Sequence, residues 1–529
     1  MTIDLLPARR PPATRERPGA SVAPVRPAAG RRVPQLRSLP VLLVHLLAVA
    51  IIVLGSQLSL LHRSIRLDEA QSLWQTDHSY PALLRLVAED VHVPLYHLLL
   101  RTWRLVFGPD IETARLLSLA FLLASVPVFY LVARKSLRRR WALLAVLLFS
   151  SSPFLQWYGN EARMYSMLVF VTLVSQYFFL DVVEPVRARS WNRSWVGYGM
   201  TAVVGAYVHY FFFFVLAAQG LYLLALVLWR RLPRNALLRL AGVAALVGLA
   251  VSPWYVYFRA NGSASGTRPS LPTPTSIDFS NVYSQFFFGF QSDGVNSVLL
   301  SAWPLLVLAA LASVRVGGRL DRATGLMIAT AFVPVLLAFL LSHLVPPFFL
   351  SRYMVPALPA VIVLVLRFLS GLGRPLARAL AVVVLAVTVV GTVVQAVNPG
   401  TPAEEDYREA AQLAEQARPQ DVVVISSPFT VYPFEYYYDG DARVSTLPVW
   451  DRQTDAPAFD ADRLPEEVAS LSAGHQYVYL VLSYDQGYEE TVYQYFAHHY
   501  EQTAAYTPSP GLRVLVYRVG YSDALPVGD

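Results

Sequence analysis

Residues 39–74 read LPVLLVHLLAVAIIVLGSQLSLLHRSIRLDEAQSLW. The run 39–61 carries one histidine and no charged side chain. As a helix it reaches roughly 34 Å, enough for a bilayer core. It exceeds a signal-peptide apolar region and follows a long basic tail, so it reads as an uncleaved span. About seven residues past its end stand two acids, Asp68 and Glu69. Outward from this stretch, comparable runs recur near 114–133, 141–157, 163–183, 196–208, 211–229, 240–258, 298–314, 326–345, 353–367 and 379–397. That makes eleven spans, and the expected fold class is an α-helical polytopic membrane protein. Composition agrees. The 529 residues are 55% hydrophobic and only 15% charged, which excludes soluble, disordered and fibrous classes. Cysteine is absent, so disulfides, thiolate nucleophiles and Cys-ligated metals are excluded.

The net charge of +7 is membrane topology, not a nucleic-acid signal. With the N-terminus in the cytosol, the cytosolic pieces are 1–38, 134–140, 184–195, 230–239, 315–325 and 367–378. They hold 26 of the 43 basic residues and only four acids, Asp4, Glu16, Glu184 and Asp321. Residues 1–38, rich in Pro and Arg, read as a disordered cytosolic tail. Residues 39–397 form the membrane domain, with a long first outer loop at 62–113. An odd number of spans puts residues 398–529 outside, where 21 acids meet 7 basic residues. This last segment reads as a separate α/β domain: helix 403–417, strand 421–426, helix 464–472, strand 477–483, helix 489–499, strand 512–518. It holds 15 of the 29 tyrosines, which suit either sugar stacking or a packed core.

Within the first loop, VPLYHLLLRTWRLVFG places His97, Arg101 and Arg104 on one helical face, opposite Leu95, Leu99, Thr102 and Val106. A run this short with two arginines should lie in the membrane interface, its basic face suited to lipid phosphates or to headgroups. Asp68-Glu69 alone could be an acidic helix start. Other polar groups emerge at the same membrane level: His92, Tyr96, Glu161, Arg163, Tyr165, His209, Tyr210, Arg352 and Tyr353. Singly, each has a bland reading as a snorkelling arginine or a local ion pair. Jointly they point to a functional site.

Five segments carry a resemblance: Asp68-Glu69, His92-x-Pro94-Leu-Tyr96-His97, Trp157-Tyr-x-x-Glu161-Ala-Arg163-x-Tyr165, His209-Tyr210 and Ser351-Arg352-Tyr353. Over about 40–397 the chain resembles the GT-C glycosyltransferases. More narrowly, it resembles the bacterial family of protein O-mannosyltransferases and the lipid A aminoarabinose transferase. The resemblance implies a polyprenyl-phosphate-sugar donor and transfer at the outer face of the bacterial cytoplasmic membrane. The acceptor would be a glycan, lipid or protein. Asp68 is then the general base, and Glu69 orients the acceptor or helps hold a metal. Arg163 and Arg352, with His92 or Arg66, receive the phosphate. A divalent ion among Asp68, Glu161 and His209 is chemically compatible, although no short metal-ligand spacing supports it. The alternatives are a lipid-linked oligosaccharide polymerase or ligase, and a non-enzymatic carrier. A carrier should place ionisable groups at mid-membrane and show repeats. Nucleic acid is not an expected partner.

Overall fold

The computed structural model describes residues 39–59, 63–90, 92–184, 188–261, 271–289, 321–397, 405–452 and 457–520. The tail 1–38 and the expected span 298–314 lie outside them. Among the described residues, fifteen helices of the N-terminal part follow in order: α1 (Leu39–Ser59), α2 (Leu67–Asp77), α3 (Tyr80–Glu89), α4 (Leu95–Phe107), α5 (Ile111–Ser136), α6 (Arg139–Ser150), α7 (Pro153–Tyr158), α8 (Tyr165–Val183), α9 (Ala188–Val208), α10 (Phe212–Leu228), α11 (Asn235–Asn261), α12 (Ser276–Phe288), α13 (Arg322–Leu341), α14 (Leu358–Ser370) and α15 (Arg374–Val397). A 3-10 turn, Ser351–Ala357, leads into α14.

Among the described residues, seven helical segments are long and apolar enough to cross a membrane. They are Leu39–Gln57, Ile111–Ser136, Tyr165–Val183, Asn235–Asn261, Arg322–Leu341, Ser351–Ser370 and Arg374–Gln395. Of the other expected spans, 141–157, 196–208 and 211–229 are helical but shorter, broken or more polar. The run 141–157 splits into α6 and α7 because Pro153 cannot continue a helix, and Ser152 Oγ caps the new start at Leu155 N–H, 3.4 Å away. α10 has 17 residues. α9 begins earlier than the sequence suggests and includes a polar first half. This is a multi-span helical membrane protein.

The C-terminal domain opens with α16 (Tyr407–Ala414), then β1 (Val422–Ser426), α17 (Val431–Tyr437), β2 (Arg443–Leu447), α18 (Leu464–Ser472), β3 (Tyr477–Ser483), α19 (Glu489–His499), β4 (Glu501–Ser509) and β5 (Leu512–Arg518). The sheet order is β2-β1-β3-β5-β4. β1 pairs parallel with β2 and β3; β5 runs antiparallel between β3 and β4. Successive strand residues point to opposite faces. Val422, Val424, Val478, Leu480 and Leu482 pack with α18 and α19. Val423, Ile425 and Val481 join a core continuous with α16, α17 and the membrane helices. Three of the strands and all the helices expected here are present. The sequence reading missed β2, β4 and α17.

α4 corrects an expectation. Its basic face turns inward. Arg101 donates to the Thr76 carbonyl at 2.8 Å, and Arg104 to the carbonyls of Leu73 and Pro109 at 2.8 Å each. The opposite face, with Leu99, Thr102 and Val106, is the exposed one. These guanidinium groups therefore satisfy the last carbonyls of α2 and do not line a phosphate site.

Candidate functional site

α2 begins at Leu67, and its first turn carries Asp68 and Glu69. Adjacent positions on a helix diverge by about 100°, so the two acids face different surroundings. Glu69 turns inward and is fully buried. Arg115, from the first turns of α5, grips it with two bonds, Nε to Oε1 at 2.9 Å and Nη2 to Oε2 at 2.6 Å. Glu69 also accepts the Ala162 N–H at 2.9 Å and the Arg66 N–H at 3.2 Å. Arg115 spends further donors on the Arg63 and Ser64 carbonyls. Burial alone would raise the carboxyl's pKa, but Arg115 and these donors hold it below the usual value.

Asp68 turns the other way and is partly exposed. Its Oδ2 accepts from Arg352 Nη1 at 2.8 Å. Arg163 donates to the Asp68 carbonyl at 3.1 Å and to Ser72 Oγ at 2.8 Å. Desolvation opposes ionisation here. The charges of Arg352, Arg163 and Arg66 override it and keep the carboxyl well below the ordinary range. Arg163 and Arg352 each retain a buried Nε–H with no partner among the described residues.

Around this pair the other expected residues assemble. Arg163 Nη2 meets His92 Nε2 at 2.7 Å. A guanidinium can only donate, so Nε2 accepts and the imidazole is neutral, with Nδ1–H directed to the Asp90 carbonyl at 2.7 Å. Burial, and then the charge of Arg163, lower the His92 pKa against the pull of Asp90. Arg66 pairs with the buried Glu161 and lies 5.0 Å over the Trp157 ring. His209, in the turn between α9 and α10, accepts the Phe211 N–H on Nδ1 at 3.0 Å, which leaves its proton on Nε2. Burial and the nearby charges of Arg163 and Arg352 keep it neutral. Its ring stands 5.2 Å from Tyr353 and 6.3 Å from Tyr165. Arg352 lies 5.6 Å over Tyr353.

Tyr96 and Tyr210 sit behind this cluster. Ser118 Oγ gives its proton to the Arg163 carbonyl at 3.1 Å, so the buried Tyr96 hydroxyl donates to Ser118 at 2.9 Å. Tyr210 donates to the His92 carbonyl and accepts from Trp254. Both brace backbone that carries the cluster. Asp68, Glu161 and His209 do not form a metal-holding group; among the described residues no cluster of three or more His, Asp or Glu is placed to hold an ion. The sequence reading missed Arg115, Ser72 and Asp90. An arginine at the edge of an apolar helix was the available signal for Arg115. The other two have no local signature.

By sequence, residues 91–257 match the family described as dolichyl-phosphate-mannose-protein mannosyltransferase. No curated protein matches the chain. Among solved structures, ArnT from Cupriavidus metallidurans in the apo state superposes with a TM-score of 0.58 at 14% identity, over 90% of this chain and 97% of that one. Its form bound to undecaprenyl phosphate gives 0.56 at 14% identity, with the same coverage. The Archaeoglobus fulgidus oligosaccharyltransferase tethered with an acceptor peptide gives 0.50 at 12% identity, over 92% of this chain and 74% of that one. The likeness to these structures is one of fold.

Proposed function

Taking the chain as a GT-C membrane protein that carries a segment of the dolichyl-phosphate-mannose-protein mannosyltransferase family, we propose that it moves one sugar from a polyprenyl-phosphate carrier to an acceptor hydroxyl. The observation that carries this reading is the convergence of Arg66, Arg163 and Arg352 on one partly exposed carboxylate, Asp68, at the end of the helix bundle where the C-terminal domain docks. A carrier's tail stays in the bilayer while its phosphosugar sits at the surface. An apolar groove of about 550 Å³ between α9, α10 and α11, lined by Phe213, Val247 and Tyr255 among others, offers such a tail a place.

The chemistry follows from charge. The donor's phosphodiester carries one negative charge and its leaving phosphate gains a second. Arginines stabilise that gain, so they favour the transition state over the bound donor. The acceptor oxygen bonds to the anomeric carbon as the carbon–oxygen bond to phosphate breaks, with the electron pair leaving on the phosphate. The acceptor's proton goes to Asp68. The carboxylate's low pKa suits a late transfer, after the attacking oxygen has become strongly acidic. A phosphate that engages Arg352 also loosens that residue's hold on Asp68 and raises its proton affinity at the required step. Direct displacement inverts the anomeric centre. Glu69, saturated by Arg115 and two backbone N–H groups, positions Asp68 and Arg66 and does not itself meet the acceptor. His92 holds Arg163 in place. Arg66 and Glu161 set the other wall.

The test is to incubate purified protein with a panel of polyprenyl-phosphate sugars and follow loss of the lipid-linked sugar. One donor should be consumed. Asp68→Asn should lower turnover by about 10²–10⁴-fold with donor affinity kept. No consumption of any donor, or more than about a tenth of turnover left in Asp68→Asn, would defeat the proposal.

A further inference from the structure

The C-terminal domain reaches the same carboxylate from the opposite side. In its sheet, β1 and β3 are adjacent and parallel. The chain leaves β1 into α17, which packs on the membrane-facing side, and leaves β3 into α19, on the far side. Connections that diverge from neighbouring parallel strands open a crevice at the strands' carboxyl ends, the usual ligand position in such sheets. The residue after each strand here has positive φ: Ser427 at 68° and Tyr484 at 54°. Such backbone in a bulky residue is costly and recurs at ligand sites. Tyr484 is 44% exposed although it carries a large ring. Its hydroxyl lies within the electrostatic reach of Asp68, Arg352, Glu405 and Arg66.

Glu405 shares this neighbourhood, facing Arg66, Asp68 and Tyr407. The buried Tyr407 hydroxyl shares a hydrogen bond with Ser483 Oγ at 3.2 Å, and the Tyr407 N–H donates to the Glu405 carbonyl at 3.0 Å. Ser483 is the last residue of β3, so these two bonds tie Glu405 to the strand end that carries Tyr484. The domain is itself pinned next to Asp68: the Ile65 N–H donates to Tyr437 at 2.8 Å, and the rings of Trp74 and Tyr432 are 5.0 Å apart.

We propose that Tyr484 and Glu405 form the acceptor subsite of the transfer reaction and that the acceptor is a carbohydrate. This rests on the transfer reading above. An exposed ring face packs against the C–H face of a pyranose, and a neighbouring carboxylate accepts its hydroxyls. The free hydroxyl of a sugar held there points toward Asp68.

The experiment uses the full-length protein with whichever polyprenyl-phosphate sugar it consumes, and a panel of methyl glycosides as acceptor probes. Transfer is read as new disaccharide, and donor loss to water is read separately. Tyr484→Ala and Glu405→Gln should each raise the glycoside KM by about tenfold while donor hydrolysis stays within about twofold of wild type. Tyr484→Trp, which keeps a ring face, should restore most of the affinity and guards against a folding defect. A wild type that consumes no donor sinks the transfer reading and the subsite with it. Donor consumption with unaltered glycoside KM in both variants removes the subsite alone. Transfer to a Ser/Thr peptide but to no glycoside overturns the carbohydrate assignment.

Discussion

Two neighbouring acids have opposite fates, and each fate predicts a different defect. Glu69 lies in a fully buried, two-pronged pair with Arg115. Glu69→Gln would leave the guanidinium charge uncompensated in the interior, a loss of about 3–5 kcal/mol. We expect a lower Tm in detergent and poor yield, with the surviving folded fraction close to wild type in donor affinity. Asp68 calls for a pH measurement. Its folded pKa is depressed, so its ion-pair stabilisation is present above the unfolded value and lost only as pH falls through the lowered folded value. With donor limiting, the acid limb of kcat/KM for the donor, which reports the carboxyl before phosphate engages Arg352, should lie below the ordinary carboxylate value of 3.8. Arg352→Gln removes the largest charge holding Asp68 ionised and should move that limb upward; an unmoved limb would detach Asp68 from it. Arg163→Ala should weaken donor binding about ten- to a hundredfold, with partial rescue by Lys, which lacks the planar fork. At this scale the sequence was legible wherever a residue's chemistry is costly in its place. Asp68, Arg163 and Arg352 stand out as charges at helix ends. It was not legible for division of labour: nothing in Asp68-Glu69 says which acid turns inward, because that depends on Arg115 across the bundle.

Elements show where pattern alone misleads. The amphipathic reading of α4 found the correct two faces and oriented them the wrong way round. In a membrane the apolar face can point outward to lipid and the polar face inward, reversing the rule for soluble helices. Arg104 bridges the end of α2 to Pro109 and pairs with Asp77 at 2.9 Å. Arg104→Ala should therefore lower Tm through unpaired carbonyls, with donor affinity unchanged. Reduced donor affinity at an unchanged Tm would return α4 to phosphate binding. Strands β2 and β4 escaped the sequence reading for a related reason. β4 lies at the sheet edge and is mostly exposed, so its alternation is weak. β2, the other edge, alternates only partially.

For the whole molecule, the charge distribution predicts an orientation, and the architecture gives that prediction a consequence. Asp68, Arg163, His209 and Arg352 gather at one end of the bundle, with the C-terminal domain docked on that same end. A reporter active only in the cytosol, fused after Asp529, should be silent; activity there would put the site on the cytosolic face. The pinning of Ile65 by Tyr437 spans 372 residues of chain. Synthesis at about 5–20 residues per second puts roughly 20–70 s between the two partners. For that interval the nascent chain holds Asp68 without the wall that the C-terminal domain supplies. On the proposed function, biogenesis then has an order: the membrane bundle is inserted first, and the site is complete only when the last domain has docked on it. On that same reading, a chain cut short before the C-terminal domain is embedded but inert, and half-made enzyme does not drain the carrier-lipid pool.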